Sequence, residues 1–78
     1  PTAQRKALEA KISKLEKKLA QLSESKQVLE EKLSDNQLYT LENAGLLNQL
    51  LVEQKNISTE IESIEKSWLE QQEQLESL

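Results

Sequence analysis

Leu8, Ile12, Leu15, Leu19, Leu22, Leu29 and Leu33 follow a rhythm of alternating four- and three-residue steps, and the rhythm returns in Leu47, Leu50, Ile57, Ile61, Ile64, Trp68, Leu75 and Leu78. On an α-helix this spacing lays a narrow apolar stripe along one side, which only another helix with the same pattern can cover. In heptad terms, Leu8, Leu15, Leu22 and Leu29 take position d, and Ile12, Leu19, Lys26 and Leu33 take position a. The second half has Leu47, Gln54, Ile61, Trp68 and Leu75 at a, with Leu50, Ile57, Ile64, Gln71 and Leu78 at d. Composition agrees with a seam rather than a wide core: 78 residues with one Trp, one Tyr and no Phe or Met, 36% hydrophobic and 31% charged.

Between the two runs stands SDNQLYTLENAG, residues 34 to 45. Ser, Asp, Asn and Thr bond locally to the backbone, which suits caps and turns and disfavours a helix interior. Ser34 with Gln37 has the spacing of a capping box, Asp35 could instead cap a short turn reaching Tyr39, and Thr40 or Asn43 could cap a second helix. Gly45 then falls in the first turn of that helix, and Leu38, Tyr39 and Leu41 are expected to fold down over the hairpin end. The pattern therefore predicts an all-α, antiparallel two-helix coiled-coil hairpin, a single unit over residues 1–78, with helix 1 at about 3–33, a connector at about 34–42 and helix 2 at about 43–77. The alternative is one rod of about 115 Å pairing with a second chain.

Charge favours the hairpin. Arg5, Lys6, Lys11, Lys14, Lys17 and Lys18 outnumber Glu9 and Glu16 at one end, while Glu60, Glu62, Glu65, Glu70, Glu73 and Glu76 outnumber Lys66 at the other. Folding back lays these ends side by side, with g positions facing g positions, so that Lys11 and Lys18 look toward Glu60. Two alignments satisfy the seam with about five wholly apolar layers each. One pairs Leu8 with Trp68, Leu15 with Ile61 and Leu19 with Ile57; the other pairs Leu15 with Trp68 and Leu8 with Leu75. The first is preferred because it joins the helices through a short connector.

Function classes narrow by what is missing. Without His or Cys the usual general base, nitrogen ligand and thiolate are absent, and exposed carboxylates such as Glu60 with Glu62 have no cleft to work in, so no catalytic residue, cofactor site or metal site is expected. No apolar run approaches a bilayer span, and PTAQRKALEA has no apolar signal core, so a soluble, cytoplasmic chain without a membrane partner is expected. The absence of an initiating Met suggests a piece of something longer. Lys11, Lys14, Lys17 and Lys18 are the candidate nucleic-acid contact; the competing reading makes them solvated flanks neutralised by the acidic second helix, and the formal net charge of -4 favours it. Lys26 and Gln54 are read as seam residues that tune register, Trp68 as a substantially buried plug with its indole N–H at the solvent edge, and Tyr39 as part of the turn.

LEEKLSDNQLYT followed by NQLLVEQKNISTEIESIEKSWLEQQEQLE resembles the C-terminal coiled-coil region of the ABC-F family of ATP-binding cassette proteins. Ser34, Asp35, Leu38 and Tyr39 match that family's connector, and Glu65, Trp68, Leu69, Glu70 and Leu75 match its closing segment; Asn36 stands where the family often has Pro. The likeness spans residues 5 to 77. It implies a non-catalytic appendage of a parent ATP-binding protein whose two cassettes bind and hydrolyse ATP, acting on the ribosome in translation or, in some members, on DNA. No phosphate-binding GxxxxGK[ST] loop is present, so ATP would belong to the parent alone. DNA-binding members would be basic here, and this chain is acidic, so the fragment alone is expected to show only generic, salt-sensitive contact with duplex DNA. A monomer is expected in solution, with a homodimer as the other possibility. The competing function is a self-associating structural segment of a scaffold or tether protein.

Overall fold

The computed structural model describes residues 2–78, leaving Pro1 outside the described residues. Helix α1 runs Thr2–Leu33 and helix α2 runs Ala44–Glu76, packed against each other in an extended hairpin of 59 × 15 × 13 Å. Two short 3₁₀ turns, Asn36–Tyr39 and Leu41–Asn43, make the connector. The expected boundaries hold to within a residue, with Asn43 in the connector rather than in α2.

Leu8, Ile12, Leu29, Leu50 and Ile64, all seam residues, are buried, and Leu38 joins them from the connector. No polar or charged residue among those described is buried, as a narrow seam flanked by solvent dictates. Leu29, Leu38 and Leu50 form the densest cluster, with Leu33, Leu47 and Ile57 packed against it.

These contacts overturn the preferred register. Leu29 shares a groove with Glu53 and Ile57, Leu8 shares one with Gln74, Ser77 and Leu78, and Trp68 reaches Glu16. Opposing Leu8 to Trp68 would place Ile57 beside Leu19, several layers from Leu29. The chain instead sets Leu15 opposite Trp68 and Leu8 opposite Leu75. A short connector does not force the helix ends level: the first turn of α2 runs past the end of α1, and Leu38, only 5% exposed, packs against this overhang as though it continued the seam. The expected lid is thus one residue, because Tyr39 is 59% exposed and Leu41 is 94% exposed.

The connector works by completing the end of α1. A helix leaves its last four carbonyls without partners. Here the Ser34 N–H donates to Glu30 O at 3.0 Å and to Glu31 O at 3.2 Å, and the Ser34 hydroxyl donates to Glu31 O at 2.6 Å. The Asp35 N–H reaches Lys32 O at 3.2 Å, and the Tyr39 hydroxyl closes the set by donating to Leu33 O at 2.6 Å. No residue with positive φ is used, so the helix stops without the usual left-handed glycine. Asp35 then starts the first 3₁₀ turn, its carboxylate accepting from the Gln37 N–H at 3.0 Å, which replaces the Ser34–Gln37 capping box. Asn43 precedes α2 without capping it through its side chain; its amide instead donates to Gln37 O at 2.9 Å and braces the two 3₁₀ turns.

Three outcomes follow for stability in chemical denaturation. Tyr39→Phe lowers stability by about 1 kcal/mol despite the exposed ring, because Leu33 O loses its donor; an unchanged midpoint would show that water replaces the hydroxyl. Gly45→Ala raises stability by about 0.5–1 kcal/mol, since a Cβ there meets nothing within 4 Å and the residue is helical. Trp68→Ala couples to Leu15→Ala by about 1 kcal/mol in a double-mutant cycle and is additive with Leu8→Ala; the opposite pattern would restore the rejected register.

Candidate nucleic-acid interface

Lys11, Lys14 and Lys18 stand at intervals of three and four on α1, which puts them on one side of the helix. With Leu15 and Gln71 they line a shallow groove of about 440 Å³ between the helices. Lys17, the fourth member of the candidate set, lies outside this lining, at the heptad position directed away from the seam. The structure therefore brings three of the four lysines together.

Register decides what faces them. Offsetting the helices to match Leu15 with Trp68 puts Ser67, Gln71 and Gln74 of α2 opposite the lysines, all of them uncharged. Only Lys18 meets a carboxylate among the described residues, its Nζ lying 3.6 Å from Glu60 Oε1. Both partners are largely exposed, and such a pair contributes about 0.2–1 kcal/mol. The expected neutralisation by the second helix thus applies to Lys18, while no carboxylate oxygen lies within 4.0 Å of the other three ammonium groups among the described residues.

Gln71 is the member that sequence reasoning passed over. It occupies a seam position facing Ile12, and its side-chain Oε1 is buried without a hydrogen-bond partner. A polar residue at a d position was the available signal. Lys26 and Gln54 are half-buried in the seam, opposite Ile57 and Leu29 in this register, where each interrupts the run of apolar layers. Trp68 is largely but not fully buried, as a ring so large facing Leu15 in a two-helix seam leaves one edge uncovered. Its indole N–H lies at that edge, 3.4 Å from Glu16 Oε2.

The arrangement can hold anions but offers no nucleophile or paired acid and base. It is an elongated arm with a basic strip near its open end, and no described helix is long and apolar enough to cross a membrane. No protein-family model matches the chain, and no curated protein or solved structure matches it.

Proposed function

We propose that this hairpin is a non-catalytic coiled-coil appendage of an ABC-F type ATP-binding protein, and that it contacts ribosomal or other nucleic acid while the parent's cassettes bind and hydrolyse ATP in the cytoplasm. The observation that carries the contact is the Lys11, Lys14 and Lys18 groove, lined from α2 by the uncharged Gln71 and relieved by a single carboxylate among the described residues, Glu60 beside Lys18. Support for the parent comes from the residues of the resemblance: Asp35 and Tyr39, separated by one short turn, each bond to backbone in ending α1 and starting the connector. The fragment itself holds no cofactor and acts as a monomer in this reading.

The self-associating scaffold reading draws on Leu46, Leu51 and Val52, which are substantially exposed on α2 near the hairpin end. Sedimentation equilibrium separates the two, with a single-chain mass favouring the appendage.

Binding of the fragment to a 20-base-pair RNA duplex, followed by fluorescence anisotropy, tests the contact. Three phosphate contacts predict that affinity falls roughly 40-fold between 50 and 200 mM salt. The Lys11→Glu/Lys14→Glu/Lys18→Glu variant loses binding, and Lys17→Glu keeps most of it. Equal binding by the triple variant would sink the proposal. For the parent, the reading frame upstream of Pro1 should encode two ATP-binding cassettes, and its lack of them would remove the ABC-F assignment.

A further inference from the structure

We infer that α1 and α2 slide past one another by one heptad between two registers, and that the slide gates the lysine groove. The gating rests on the nucleic-acid reading above, whereas the sliding does not. The observed register opposes Leu8 with Leu75, Leu15 with Trp68, Leu19 with Ile64, Leu22 with Ile61 and Leu33 with Leu50, and the other opposes Leu8 with Trp68, Ile12 with Ile64, Leu15 with Ile61, Leu19 with Ile57 and Leu29 with Leu47. The two bury the same number of wholly apolar layers, so the seam does not discriminate strongly between them.

The polar residues distribute themselves between the two states. In the observed register Gln71 faces Ile12, and its buried Oε1 has no partner. Moving α2 by a heptad puts Gln71 opposite Arg5, a donor at the next a position toward the open end. The flanks change with it: Lys11 comes to face Glu60, and Lys18 comes to face Glu53 as well as Glu60. The second register therefore satisfies the orphan oxygen and neutralises the groove, and the observed register leaves the groove open. At the hairpin end the overhang of α2 closes up, since Leu33 and Ala44 would then lie nearly level. Leu38 would lose its place against Leu50 and Leu29, so the tip and the groove move as one device.

The chain has no cysteine, which permits a direct test. The Leu22→Cys/Ile61→Cys variant can close a disulfide only in the observed register, and the Leu22→Cys/Gln54→Cys variant only in the other, because a disulfide needs Cα atoms within about 7 Å and a heptad moves them by about 10 Å. Circular dichroism before oxidation confirms that each variant is helical. Both should close in a mild redox buffer. Once linked, the Leu22→Cys/Ile61→Cys protein should bind the 20-base-pair RNA duplex as the unlinked chain does, and the Leu22→Cys/Gln54→Cys protein at least tenfold more weakly. Adding Gln71→Leu, which removes the orphan oxygen without touching the tip, should slow closure of the Leu22→Cys/Gln54→Cys protein about tenfold. If that protein stays reduced while helical, the slide is overturned and the binding proposal stands. Equal RNA affinity of the two locked forms overturns the gate. Failure of the unlinked chain to bind RNA, with both variants closing, would discard the nucleic-acid reading and with it the gate.

Discussion

Side chains of two seams interlock only at offsets that keep a positions opposite d positions, so the helices of this hairpin can meet at steps of a heptad and nowhere between. Everything else follows from which step is taken. With Leu15 against Trp68, the end of α1 falls short of the start of α2, and the connector must climb beside the overhang rather than bridge two level ends. Leu38 turns that mismatch into burial by packing with Leu29 and Leu50. The same step sets uncharged residues opposite Lys11 and Lys14 and leaves the indole of Trp68 beside Glu16.

The connector can accept this geometry because α1 ends on its own terms. Its last four carbonyls are taken by Ser34, Asp35 and Tyr39, so the helix needs no glycine and no partner on α2 to stop where it does. A cap built from a tyrosine six residues beyond the carbonyl it donates to also stiffens the turn, since the side chain spans the first 3₁₀ turn that Asp35 begins. Exposure of the Tyr39 ring is the cost of that reach.

Helices and turn were legible in the sequence because each has a local cause: heptad periodicity for α1 and α2, and short polar side chains for residues 34–43. Asp35 as the cap of a turn ending at Tyr39 was also legible, since the acceptor and the N–H it needs are two residues apart. The Tyr39 hydroxyl was less so, because its acceptor is a backbone oxygen that any residue at 33 would supply. Register was not legible, since both offsets satisfy the apolar pattern equally and the difference lies in how Leu38 packs, which only the folded connector determines. The lysine site inherits that ambiguity. Lys11 is neutralised in one offset and faces Ser67 and Gln74 in the other, so no count of charges along the chain could say which.

Heptad geometry also separates the two flanks of the rod. Positions g carry Lys11 and Lys18, with Lys14 alongside, whereas positions e carry Glu9 and Glu16 on α1 and Glu65 on α2. In the observed register Glu16 and Glu65 face each other across the acidic flank, a like-charge pairing that disfavours close approach. The Trp68 N–H beside Glu16 supplies a donor at that point. Near the open end the chain thus presents a basic edge of Lys11, Lys14 and Lys18 and an acidic edge of Glu9, Glu16 and Glu65 on opposite sides, whereas toward the middle of the rod Glu53 and Glu60 share the lysines' flank. A polyanion approaching such a rod is attracted by one edge and repelled by the other, which fixes its rotation about the long axis before any close contact forms.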